Sequence, residues 1–152
     1  MIRKILFIII STNLLLGCGY SPIYKNSNNT KFKIFVAEMY GDNEINNKIR
    51  LKLKKYSKNV SVTDYEIQIN SSIDKIITTK DPTGKATDYE IKIQSSFNIK
   101  NNDETDVFNV EEKFKYKRKN ENIDQMEYER TIKNNMIDNI VKKLVSYLSR
   151  KQ

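Results

Sequence analysis

The stretch YEIQINSSIDKIITTKDPTGKATDYEIKIQSSFNI, Tyr65 to Ile99, decides the fold. Tyr65, Ile67, Ile69, Ile73 and Ile77 share one parity, with Glu66, Gln68 and Asn70 between them. Tyr89, Ile91, Ile93, Phe97 and Ile99 repeat the pattern against Glu90, Lys92, Gln94, Ser96 and Asn98. Strand side chains alternate between faces, so this period of two predicts strands with one apolar and one wet face. Asp81-Pro82-Thr83-Gly84 supplies turn chemistry between the two runs, which makes them an antiparallel hairpin. A third run continues the sheet: Phe108, Val110, Phe114 and Tyr116, opposed by Asn109, Glu111, Lys113, Lys115 and Lys117. Asn101-Asn102-Asp103-Glu104 separates it from the second.

Other elements flank this sheet. Lys31 to Glu38 sets Phe32, Ile34 and Val36 on one side and predicts a first strand, broken by Tyr40, Gly41 and Asp42. Asp42 can then cap a helix reaching about Ser57, with Ile45, Ile49, Leu53 and Tyr56 on one face. Near the end, Asp124 and Glu127 resemble a capping box, with Ile123 and Tyr128 placed as a hydrophobic staple. Ile137, Ile140, Val141, Leu144 and Leu148 follow at helical spacing. We expect Ile140, Leu144 and Leu148 to face Ile67, Ile91 and Phe114. The fold class is therefore α+β: a two-layer sandwich, a mostly antiparallel four-stranded sheet with two helices on one face, in the order β-α-β-β-β-α.

Composition narrows the chemistry. The 152 residues carry 27 Lys+Arg against 19 Asp+Glu, a formal net charge of +8, with one Cys and no His. Without His there is no Ser-His-Asp triad, no Cys-His pair and no His-bearing zinc site. Four glycines leave no phosphate-cradling glycine-rich loop. We expect a non-enzyme with no cofactor and no metal. The sheet aromatics read as core, not as a stacking platform for nucleic acid.

The single cysteine sits at the end of an apolar run. Arg3 and Lys4 precede the largely apolar Ile5–Leu16, about a dozen residues and short of the ~20 that span a bilayer. Leu15-Leu16-Gly17-Cys18 then resembles the bacterial lipobox, although Leu16 departs from the smaller or β-branched residue usual there. That resemblance implies that the Cys18 thiol takes up diacylglycerol and becomes the N-terminus after cleavage. Gly19, in place of Asp, points away from inner-membrane retention. More than one acyl chain gives the stable anchoring that one alone does not. The expected layout is a lipoprotein signal peptide over 1–17, a lipidated N-terminus and flexible linker over 18–30, and a single domain over 31–152.

Cys18-Gly19-Tyr20-Ser21-Pro22-Ile23-Tyr24, followed by strand, helix, three long strands and a long helix, resembles LptE, the lipopolysaccharide-assembly lipoprotein family. The resemblance implies a non-enzymatic subunit on the periplasmic face of the outer membrane. It would plug the LptD barrel, help it assemble, and receive lipopolysaccharide for delivery to the outer leaflet. It also implies glycolipid contacts near the strand hairpin and the start of the last helix, where the hairpin offers Lys75, Lys80 and Lys85. The basic balance suits an anionic glycolipid, and the wet sheet face suits a polar barrel lumen. Two alternatives stand beside it: a pilot or binding lipoprotein for a different outer-membrane pore, and a periplasmic lipoprotein enzyme using paired carboxylates.

Overall fold

The computed structural model describes residues 32–57, 63–102, 104–119 and 121–151. The leader, Cys18 and the segment to residue 30 lie outside the described residues. The elements are β1 (Phe32–Gly41), α1 (Asn43–Leu53, prolonged by a 3-10 turn over Lys54–Tyr56), β2 (Thr63–Lys80), β3 (Ala86–Asn101), β4 (Glu104–Lys117) and α2 (Asn122–Ser149). One sheet runs β1-β2-β3-β4. The α1 crossover makes β1 parallel to β2, whereas the hairpins make the other two pairings antiparallel.

The alternation lands as expected across the hairpin. Ile67 pairs with Ile99, Ile69 with Phe97, and Ile73 with Ile93, all on the face beneath the helices. Ser71 and Ser95 interrupt this apolar face and resolve their burial through each other, with the two hydroxyls 2.8 Å apart. Both helices cover the same face, and Ile45, Ile49, Leu53, Ile137, Ile140, Leu144 and Leu148 complete one core with the strands. Lys52–Asp138 at 2.7 Å and Lys133–Glu44 at 3.9 Å tie helix to helix. The Asp42 side chain caps α1 as expected, accepting from Ile45 N at 2.8 Å.

Four expectations need correction. β1 does not stop at Glu38: a bulge between Val36 and Glu38 lets parallel pairing continue to Gly41 opposite Ser71. Gly41 then turns the chain at φ +81°, and a Cβ there would lie 2.2 Å from the Ser71 carbonyl oxygen. The capping box and staple do not form. Helix α2 begins before Asp124, after Glu121, which makes no side-chain cap, and Ile123 is 78% exposed. Its entry is fixed instead by Gln125, whose Oε1 accepts from Lys119 N at 2.6 Å, and by Tyr128 edge-on to Tyr116. Phe114 is 42% exposed on edge strand β4 and is not a core partner of Leu144. Ile77 is also exposed, because β2 and β3 continue beyond the end of β1.

Candidate functional site

The three-strand meander returns β4 to the tip of the β2–β3 hairpin, and that end of the sheet gathers positive charge. The tip is rigidly built. Asp81 Oδ1 accepts from Thr83 N at 2.9 Å, Thr83 Oγ1 at 2.6 Å and Lys85 N at 3.0 Å, and Gly84 takes the positive φ the turn requires. The Thr83 hydroxyl first, then the Lys85 and Thr83 amides, hold the Asp81 carboxyl below its ordinary pKa. Its lone pairs are thereby committed to the turn. Lys80 pairs in register with Ala86, so Lys80 and Lys85 flank the same turn.

Alongside it, Asp88 pairs with Lys117, and Arg118 N donates to Thr87 O at 2.8 Å. Lys117-Arg118-Lys119 therefore lies beside the hairpin base, where an open cleft of roughly 400 Å³ is lined by Asp81, Lys85, Asp88 and these three cations. Lys119 places its ammonium 4.7 Å from the Tyr128 ring centroid, over the first turns of α2. Among the described residues, Lys80, Lys85, Lys117 and Arg118 form no ion pair. Lys92, Lys113 and Lys143, by contrast, each bind a carboxylate elsewhere on the surface. The cations outnumber the two carboxylates beside them, Asp81 and Asp88, so an incoming anion relieves the repulsion that remains. Ile123 and Met126, 78% and 73% exposed, add apolar surface on the first turns of α2, which follow this basic link in the chain.

Lys75 does not join the cluster. It lies five strand residues before Lys80, roughly 16 Å away at the strand rise. Its ammonium is 2.6 Å from Glu129 of α2 and 4.6 Å from the Tyr89 ring centroid. Burial opposes ionisation of Glu129, but hydrogen bonds from Lys75 and from Gln125 (2.5 Å) outweigh it and leave its pKa lowered. The Tyr116 hydroxyl is buried beside that carboxylate, just outside hydrogen-bond geometry; burial, then Glu129, push the phenol far above its ordinary pKa. This constellation fastens α2 to the hairpin. The sequence reading overlooked Arg118 and Lys119. The available signal was topological: in an antiparallel meander, the end of the third run returns to the tip of the first hairpin.

A four-stranded mixed sheet under two helices is an architecture found in solved bacterial lipoproteins. The rare lipoprotein B of Shewanella oneidensis superposes with a TM-score of 0.57 at 12% identity, over 76% of this chain and 96% of its own. A minor lipoprotein of Acinetobacter baumannii gives 0.53 at 10%, over 80% and 93%. A lipoprotein of Caulobacter crescentus gives 0.51 at 10%, over 79% and 89%. At these identities the similarity establishes the fold. No family model matches the chain, and neither does any curated protein.

Proposed function

We propose that this protein is a non-enzymatic lipoprotein, anchored through Cys18 on the periplasmic face of the outer membrane. In this reading it plugs and helps assemble an LptD-like β-barrel and aids transport of lipopolysaccharide to the outer leaflet. The observation that carries the reading is the unpaired cationic cluster Lys80, Lys85, Lys117, Arg118 and Lys119, followed in the chain by exposed Ile123 and Met126. An anionic glycolipid presents both complements, phosphates for the cations and acyl chains for the apolar turn. The lipobox at Cys18 and a fold shared with bacterial lipoproteins support the same reading.

A binding role also accords with the carboxylates. A general acid of the paired-carboxylate kind needs a raised pKa. The shifted carboxylates here, Glu44, Asp81, Asp106, Glu111 and Glu129, are all lowered, each by hydrogen bonds that commit them to structure. The deciding experiment is to purify the full chain from detergent-solubilised outer membranes and identify what accompanies it. Recovery of an LptD-like barrel with bound lipopolysaccharide supports the proposal. A different pore places the protein among pilots, and recovery of the protein alone from the soluble fraction refutes the anchored reading.

A further inference from the structure

The outward sheet face carries a second feature that owes nothing to the basic end. Its residues fall into rows by register. Tyr40, Asn70, Ser96 and Asn109 line up across all four strands. Beside them run Glu38, Gln68, Asn98 and Val107 on one side, and Ser72, Gln94 and Glu111 on the other. Gln68, Asn70, Ser72, Gln94, Ser96, Asn98 and Asn109 thus form a contiguous block of amides and hydroxyls without a formal charge. In a chain that is 30% charged, an ordinary solvated face would scatter ions through such a block. Here the charges stand at its borders: Glu38 on β1 and Glu111 on β4 end two of its rows, Asp74–Lys92 lies toward the hairpin, and Glu66 and Lys100 lie toward the other end.

The block is shaped as well as neutral. The short Ser72 and Ser96 side chains between longer amides leave a shallow depression of about 520 Å³, with Asn70, Gln94, Asn109 and Glu111 in its walls. Among the described residues, Asn70, Ser72, Ser96 and Asn109 spend no side-chain donor or acceptor within the protein. The Tyr40 ring, 54% exposed, stands on the neighbouring edge strand in register with Asn70. Glu38 holds it there, accepting from both the Tyr40 hydroxyl and Gln68 Nε2. With strands about 4.8 Å apart and same-face residues about 6.8 Å apart, the platform measures roughly 14 Å each way.

We propose that this face binds a neutral saccharide chain. Unspent amides and hydroxyls match sugar hydroxyls, which donate and accept in the same neutral fashion. A restrained aromatic face offers the apolar side of a pyranose a surface to lie on. The bordering carboxylates are already engaged, Glu38 by Tyr40 and Gln68 and Glu111 by Lys113, so an ionic partner that desolvates these groups finds no free charge to pair with. Tyr40 is the stacking residue and Asn70, Ser96 and Asn109 are the hydrogen-bonding row.

The test uses the detergent-solubilised full chain titrated with maltotetraose and with chitotetraose, followed by amide NMR shifts. Either sugar should move the resonances of residues 68–72 and 94–98, with a Kd on the order of 1 mM that is insensitive to salt. Tyr40→Ala should weaken binding about tenfold, and Tyr40→Phe should restore most of it. Ser96→Glu should abolish binding without moving the unfolding midpoint by more than a few degrees. The proposal is overturned if neither sugar shifts these residues, or if binding survives Tyr40→Ala undiminished. It is also overturned if Lys85→Glu abolishes binding, which would assign the sugar to the basic end. Loss of barrel association in Ser96→Glu, with sugar binding intact, would make the face a protein interface and equally refute it.

Discussion

Reversing charge at two positions of the basic end, Lys85→Glu with Arg118→Glu, should sharply weaken binding of a phosphorylated glycolipid. The two residues come from different elements, β2–β3 hairpin and the β4–α2 link, and share one cleft. An exposed cation about 4 Å from a phosphate gains ~1 kcal/mol in bulk-like dielectric and up to ~4 near a low-dielectric surface. Screening and side-chain entropy bring exposed pairs down to roughly 0.5–1 kcal/mol each. Reversal replaces each attraction with a comparable repulsion, so the double variant should lose about 2–4 kcal/mol, roughly 30- to 900-fold in Kd. Fluorescence anisotropy with labelled bisphosphorylated lipid A measures this at low salt, with dephosphorylated lipid as comparator. At ~1 M salt the Debye length falls to about 3 Å, and wild type and variant should converge. Lys100→Glu, at the opposite end of the sheet, serves as the control. Equal loss in that control, or a double variant indistinguishable from wild type at low salt, would refute a localised anion site.

Two further outcomes test the packing on which that site depends. Leu144→Ala removes a fully buried side chain and should cost roughly 2–5 kcal/mol in urea unfolding, whereas Phe114→Ala, 42% exposed, should cost about 1–2; reversed ranks would show the helix facing to be wrong. Lys75→Met should destabilise by about 1 kcal/mol at neutral pH, a figure held down by the 43% exposure of Lys75 in its pair with Glu129. Because the folded pKa of Glu129 is lowered, the pair's contribution is present above the unfolded value of about 4.3 and disappears as pH falls through the folded value. The gap between wild type and variant in thermal unfolding should therefore close below about pH 4, and a constant gap would refute the assignment.

The sheet was legible because its period was long. Eighteen-residue β2 and sixteen-residue β3 keep Ile67, Ile69, Ile73, Ile91, Ile93 and Ile99 on one parity, and a one-residue slip would expose the whole set. The start of α2 was not legible, because Asp124 and Glu127 satisfy a local capping pattern that a tertiary contact overrides. Lys119 N reaches Gln125, and Tyr128 packs on Tyr116 of β4, so the helix begins three residues earlier, after Glu121. Phe114 misled for a related reason. Parity gave its side of the sheet correctly, but parity says nothing of whether a helix covers that side at the edge.

Charge was the least legible quantity, since a lysine's role depends on what stands opposite it across the sequence. Lys75 and Lys80 look equivalent in a hairpin, yet one meets Glu129 fifty-four residues on and the other meets no described carboxylate. Arg118 and Lys119 look like the frayed end of a strand until the meander folds them against Thr87. The same topology sorts the whole outward face. Acidic and basic residues of β2, β3 and β4 fall opposite one another at Asp74–Lys92 and Glu90–Lys115, cancelling along the middle of the strands. Beyond the last of those pairs, the tip and the β4–α2 link contribute cations whose nearest acids, Asp81 and Asp88, are bonded to the turn and to Thr87. The hairpin tip and the β4–α2 link thus hold a local positive field because pairing in register neutralises the charges along the strands beside them.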